Sequence, residues 1–371
     1  KPEFAGAVEA AASTGGQIMP PIMGAAAFLM AEYMSIPYAQ VAVKAILPAL
    51  LYFTGVFIAV HLEAKKLGLK GMPKSEMVSW GELAKRAYLI TPPTSLIFLV
   101  SSGRRTMQFA AAVSILAAIV VGFLNKEERL TFGKIVEALE AGAKGAITVA
   151  VACAMAGMIA GCITVTGLAS ILINAIVQAA GDATIVGLAL TMICCIILGM
   201  GVPTTANYCI MASTCAPILV QMDFPLVAAH FFVFYFGIVA DITPPVALAA
   251  YAGAAIAKAN PMKTGINATK LAVAAFIVPY IFAYSPAMLF DNVSSAFEVV
   301  QIVVSALIGL FGVAAALNGF VYKKIPMLFG LAMAAGGLCM MIPGTASDVV
   351  GLVMVGGIVL IQRMSARRLA A

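Results

Sequence analysis

Charge is scarce in this chain. Only 10% of its 371 residues are Asp, Glu, Lys or Arg, against about 25% in ordinary soluble domains. Hydrophobic residues make up 63%, and the mean hydropathy is +1.05. A soluble domain must coat its core with polar groups and splits at roughly 250–300 residues. The composition therefore excludes a soluble enzyme, a nucleic-acid binder, a disordered chain and a disulfide scaffold. Histidine is rarer still, with two residues, His61 and His230. No HExxH, Walker loop, GxSxG or paired carboxylates are present, so no catalytic constellation is visible. Without an ATP motif, transport would run on an ion gradient or on a separate subunit. The seven cysteines follow no metal or disulfide spacing, and the adjacent Cys194 and Cys195 are poorly placed to pair. They read as small apolar fillers.

What is present is a series of apolar runs. They lie near Ile18–Tyr33, Val41–Val60, Ala87–Ser101, Met107–Leu124, Ala146–Ile163, Leu168–Ala180 and Ala183–Met200. Further runs follow near Leu226–Ala240, Pro244–Ala257, Leu271–Phe290, Val299–Val321, Met327–Ile342 and Val349–Ile361. Strand-like alternation is lacking, which sets aside a β-barrel. Backbone polar groups in lipid must be satisfied within their own segment. The expectation is an all-α polytopic membrane protein with room for about eleven or twelve crossings. Runs of 10–14 residues are short for a crossing and point to re-entrant or broken elements.

The formal net charge of +6 comes from Lys and Arg lying between apolar runs, as in cytoplasmic loops. Two stretches, His61–Arg86 and Asn125–Lys144, read as amphipathic: helices flat on the membrane surface or solvated loop helices. The loop at Arg104 and Arg105 carries fewer positive charges, so charge bias puts both stretches in the cytoplasm. Asp291, Asn292 and Glu298 mark a boundary, dividing the chain into residues 1–290 and an accessory helical region over residues 291–371.

An internal repeat is visible. Gln17-Ile-Met-Pro-Pro21 pairs with Asp241-Ile-Thr-Pro-Pro245, and at the same offset Ala25 meets Ala249, Ala26 meets Ala250 and Pro37 meets Pro261. Ile90-Thr-Pro-Pro93 copies the short string but has no following proline at the matching distance. Repeats of this size mark two-fold transporter folds. The second copy is preceded by Gly199–Asn207 and an apolar stretch to Met222, whereas the chain opens at Lys1. The repeat thus predicts a missing first hairpin upstream of Lys1.

Four places combine Gly or Pro with hydroxyl or amide groups in apolar surroundings: Ser13–Gln17, Thr164–Gly167, Gly199–Asn207 and Gly237–Pro245. Proline removes a helical hydrogen bond and disfavours helix in the residue before it. Irregular backbone at membrane depth is tolerated only where it is buried in protein or lines a cavity. Freed carbonyls with Ser, Thr and Asn oxygens suit a hard cation such as sodium, and freed N–H groups at half-helix N-termini suit a carboxylate. The competing reading is a kinked helix with satisfied hydroxyls. Asp241 is a functional candidate because an acid inside a membrane is costly. Its alternatives are an N-cap to a segment starting at Pro244, or a position at the membrane edge. Glu32 could be interfacial. His230, in an aromatic run, reads as a packed core residue, and His61 as structural.

The segments EFAGAVEAAASTGGQIMPPIMGAAAFLMAEY (Glu3–Tyr33), GMGVPTTANY (Gly199–Tyr208) and HFFVFYFGIVADITPPVALAAYAGAAIA (His230–Ala257) resemble the fused permease of tripartite ATP-independent periplasmic (TRAP) transporters. The type is the one served by a TAXI-class binding protein, and the resemblance is to the large membrane subunit. It covers Phe4 to Leu289; the C-terminal part resembles the extra helices appended to fused permeases. It implies an elevator-type transporter with inverted repeats, broken helices and a re-entrant hairpin, in the inner membrane of a prokaryote. It implies a sodium-coupled importer of small organic anions, carboxylates among them. Carried over by motif, ion and substrate contacts fall at Ser13, Thr14 and Gly15; at Thr164, Thr166 and Gly167; at Gly201, Thr204, Thr205 and Asn207; and at Asp241, Thr243 and Pro244. Sodium itself is implied at Thr164, Thr166, Thr204 and Thr205, with no further cofactor. The implied partners are a periplasmic TAXI-type binding protein, a small membrane subunit, fused or separate, and membrane lipid; nucleic acid is not among them. The rivals are a proton-coupled carrier without a binding protein, a membrane-embedded enzyme, which would need a clustered acid–His or Cys site, and a structural subunit, which needs no polar breaks in register with a repeat.

Overall fold

The computed structural model describes every residue except Ile22, Lys70, Met72, Pro343, Ala371 and residues 74–76, 103–105 and 126–129. The side chains of Ser101, Thr148 and residues 366–370 are likewise outside the described set. Among the described residues the only strand-like pairing is an isolated bridge, Phe320 with Lys324, and the chain is all-α. Among the described residues six helices are long and apolar enough to cross a membrane: Tyr38–Lys66, Met107–Leu124, Phe132–Thr166, Pro261–Tyr284, Ala296–Asn318 and Thr345–Ser365. Other apolar helices are shorter, so several of the expected crossings are built from half-length pieces.

The repeat appears as matched helix boundaries. Helix α1 spans Pro2–Gly15 and α12 spans Leu226–Val239, the same offset that relates the two diproline segments. Each helix ends in an irregular stretch holding a cis Pro-Pro bond, Pro20–Pro21 or Pro244–Pro245. Each chain then re-enters a short helix, α2 (Ala26–Tyr33) or α13 (Leu248–Ile256). Next comes a proline-initiated helical segment: α3 (Tyr38–Lys66) in the first unit, α14 (Pro261–Leu271) with α15 (Val273–Tyr284) in the second. A tyrosine hydroxyl ties down each break. Tyr38 Oη donates to the Pro21 carbonyl at 3.0 Å, and Tyr251 Oη to the Pro245 carbonyl at 2.6 Å. The units also touch through bare backbone. A Cβ on Gly253 would lie 2.5 Å from the Gly6 carbonyl oxygen, so α1 and α13 cross at a distance that only glycine permits. Small residues supply such approaches in membranes, where lipid is as apolar as Leu and packing must drive association.

Burial grades the helices. Every residue from Ala228 to Val239 in α12 is buried, as befits a helix that is apolar all round and sits centrally. By contrast α6 (Met107–Leu124) and α7 (Phe132–Thr166) turn most of their surface outward. Helix α7 also differs from expectation. The charged stretch Asn125–Lys144 is not a separate surface element, because from Phe132 onward it is the start of this 35-residue helix. Charged side chains at a helix end leave its i→i−4 bonding intact, so the helix runs on. The other stretch, His61–Arg86, is split between the end of α3 and a short helix α4 (Trp80–Lys85). The residues Lys70, Lys74, Glu76, Arg104, Arg105 and 126–129 that entered the charge-bias reading lie outside the described residues.

The last three helices, α16 (Ala296–Asn318), α17 (Met327–Cys339) and α18 (Thr345–Ala370), pack on one another and on α3. Gly309 and Gly337 face each other so closely that a Cβ on Gly337 would lie 2.6 Å from the Gly309 carbonyl oxygen. Lys44 of α3 pairs with Asp291 at 3.3 Å and fixes the loop that leads into α16.

Candidate functional site

Helix α9 (Thr184–Gly199) and α10 (Thr204–Thr214) form a hairpin with a tight tip. Gly201 turns the chain at φ +74°, a conformation open to glycine at no steric cost. Pro203 then takes an extended conformation and starts α10. The tip rests on the end of α12. A Cβ on Gly199 would lie 2.7 Å from Asn207 Nδ2 and 2.8 Å from Ala240 Cβ. A Cβ on Gly237 would lie 3.3 Å from the same Asn207 nitrogen. Two glycines thus seat the Asn207 side chain between hairpin and broken helix.

Asn207 Nδ2 donates to the Gly237 carbonyl at 3.1 Å. Its amide oxygen, Oδ1, is buried and has no hydrogen-bond partner among the described residues. Leaving a buried acceptor unpaired costs about 1–3 kcal/mol, so an orphan of this kind needs an explanation. Thr204 Oγ1 donates to Asp241 Oδ2 at 3.4 Å, a long bond in a half-buried setting. Asp241 lies in the 3₁₀ turn Ala240–Ile242 that follows α12. Helix resumes only at Leu248, with Ala247 at its N-cap, so Asp241 is not the cap of a helix starting at Pro244. Among the described residues no ion pair involves Asp241. The first turn of α10 opens beside this carboxylate, with Thr205 half-buried in it.

The remaining expected residues divide. Thr243 Oγ1 returns to the Val239 carbonyl at 2.8 Å, and Pro244 packs where a Cβ on Gly265 would lie 3.0 Å away. Both brace the break. In the first unit Ser13 is exposed, while Thr14 and Gly15 are buried, Gly15 against the Tyr52 ring. Helix α1 packs against the 240–242 turn. Thr164 and Thr166 are exposed at the end of α7, and Gly167, at φ +71°, turns the chain into α8 (Leu168–Ala180). Their hydroxyls donate to the Ala160 carbonyl at 2.8 Å and the Cys162 carbonyl at 2.7 Å. Ile163, beside them, packs in one cluster with Leu198, Val202 and Ala206 of the hairpin. Glu32 is exposed on α2.

Sequence reasoning missed the contacts that fix the site from outside. Tyr208 Oη and His230 Nδ1 are 2.7 Å apart in the core, which explains why His230 is tolerated there. Thr269 Oγ1 donates to the Ile242 carbonyl at 3.2 Å. These pairs link residues 22 and 27 positions apart with no local motif.

The Asp241 carboxylate and the Thr204 hydroxyl meet where the hairpin tip rests on the end of α12, and the Asn207 amide oxygen, unpaired among the described residues, lies one turn further along α10. Oxygen donors of this kind hold hard cations, whereas soft or catalytic metals want thiolate or imidazole. No group of three or more His, Cys, Asp or Glu among the described residues could hold a metal ion. Compared with known families, residues 1–297 match the family described as tripartite ATP-independent periplasmic transporter, DctM component. No curated protein matches the chain. With a match over most of its length, and with helices of spanning length on either side of the hairpin, the chain belongs to the DctM family of TRAP transporter membrane components.

Proposed function

We propose that this chain is the permease component of a sodium-coupled, binding-protein-dependent secondary importer of small organic anions, carboxylates among them. It works in the inner membrane of a prokaryote, with a periplasmic TAXI-type binding protein and a small membrane subunit, fused or separate. The observation that supports the reading is Asn207 Oδ1, buried and without a partner among the described residues, one helical turn from the Thr204 that bonds Asp241. Sodium is cargo here. Asp241, Thr204 and Asn207 supply oxygens to it, and the freed carbonyls of the hairpin tip complete the set.

Coupling follows from charge. The N-terminus of α10 favours an anion, but a substrate carboxylate there meets the Asp241 carboxylate. Two like charges about 5 Å apart repel by roughly 3 kcal/mol at an effective dielectric near 20. A cation between them removes that cost, so ion and anion bind better together than apart. The hairpin and the broken helix then move as one body that carries both across, the elevator arrangement.

The test is uptake by the complete transporter reconstituted in liposomes with its binding protein. Uptake is expected with an inward sodium gradient and not with potassium in its place. Uptake driven by a proton gradient alone, without sodium, would overturn the proposal in favour of a proton-coupled carrier.

A further inference from the structure

A second polar cavity lies away from the hairpin, between α15 and the C-terminal helices. Its volume is about 230 Å³, and Ser285, Glu298, Gln301, Ser305, Thr345 and Asp348 supply its polar wall. Met340, Met341 and Ile302 contribute apolar wall. All of the polar residues but Ser285 lie beyond the residues that match the family.

Two observations mark it as a binding site. The first is charge: two carboxylates line the cavity and no Lys or Arg does. The second is independent of it. Ser285 and Ser305 are both 8% exposed, line the cavity, and their hydroxyls have no hydrogen-bond partner among the described residues. Neither oxygen is sealed in packed protein, so both open onto the cavity. The carboxylates are only partly used. Glu298 Oε2 accepts from the Ser294 backbone N–H at 3.0 Å, and Asp348 Oδ2 accepts from Gln301 Nε2 at 3.0 Å. One oxygen of each remains, together with the Gln301 carbonyl oxygen and the two serine hydroxyls. All of these oxygens can accept, the hydroxyls can also donate, and the two carboxylates leave the wall negative with no cationic side chain to balance it.

We propose that this cavity binds a primary ammonium group. An ammonium carries three N–H donors and no acceptor, which complements the wall. A bare metal ion demands a compact shell of oxygens at about 2.0–2.6 Å, and a cavity of this volume is too wide for one. Helices α16 and α18 start at the cavity, and both belong to spanning segments. The cavity thus lies at the end of two crossings, where phospholipid headgroups lie. The ammonium can come from an ethanolamine phospholipid or from a free amine.

The experiment uses the purified full chain in detergent and follows its thermal unfolding. One arm adds ethanolamine, with choline as control; the other adds phosphatidylethanolamine, with phosphatidylcholine as control. Each is repeated on Glu298→Gln with Asp348→Asn. Gln keeps the capping geometry at the start of α16, so the variant retains its fold. Stabilisation by ethanolamine or its lipid over the choline controls is expected. The half-saturating concentration should rise about tenfold or more in the variant, as the loss of a charge-assisted hydrogen bond implies. A response to lipid alone identifies a headgroup, and a response to ethanolamine alone a soluble amine. Choline compounds acting equally well, a variant that responds like the wild type, or no response at all overturns the proposal.

Discussion

Replacing Gly199 by alanine tests the seating of the hairpin on the broken helix with one methyl group. The new Cβ would lie 2.7 Å from Asn207 Nδ2, 2.8 Å from Ala240 Cβ and 3.1 Å from Met211 Cε. Only the methionine end is flexible. Asn207 is held by its bond to the Gly237 carbonyl, and Ala240 begins the turn that carries Asp241. Relief therefore requires the tip to lift from α12, which separates Thr204 from Asp241. Overpacking of this kind costs about 1–3 kcal/mol. If that cost falls on the assembled site, sodium affinity drops by roughly 5- to 150-fold, at about 1.4 kcal/mol per tenfold. The assay is a sodium titration of thermal unfolding, because a ligand that binds only the folded state stabilises it by mass action. Gly161→Ala on α7 is the control: nothing lies within 4 Å of its added Cβ, and alanine in a helix gains about 0.5–1 kcal/mol over glycine. Equal half-saturating sodium in Gly199→Ala and wild type would refute the reasoning.

Asn207→Ala removes the donor to the Gly237 carbonyl and should cost about 1–3 kcal/mol of stability, measured by unfolding without sodium, with sodium stabilisation reduced as well. Thr164→Val with Thr166→Val should leave sodium dependence of uptake within about twofold of wild type, since both hydroxyls return to their own helix and that bonding adds little. Gly337→Ala should lower thermal stability by about 1–3 kcal/mol, because the new Cβ meets the Gly309 carbonyl at 2.6 Å and neither backbone can yield.

Local pattern made much of the fold legible. The runs Met107–Leu124 and Leu168–Ala180 coincide with α6 and α8, because an uninterrupted apolar stretch has one way to satisfy its backbone in lipid. The offset of the diproline segments reappears in the ends of α1 and α12. The start of α7 was not legible, since a helix does not stop where its side chains become charged. The candidate site was legible as a group of broken places and not as a geometry. A threonine near a break can face a cavity or bond back to its own carbonyl four residues earlier, and sequence does not separate Thr204 from Thr164. Gly199 and Gly237 matter through what they leave room for, and only the packed structure reveals the Asn207 amide between them.

Equilibrium binding of radioactive sodium to purified wild type and Asp241→Asn tests the central claim most directly. Asn keeps the shape of the side chain and an oxygen for Thr204 but removes the charge. The account predicts saturable sodium binding in the wild type, with potassium competing poorly, and its loss in the variant. Undiminished sodium affinity in Asp241→Asn would contradict it.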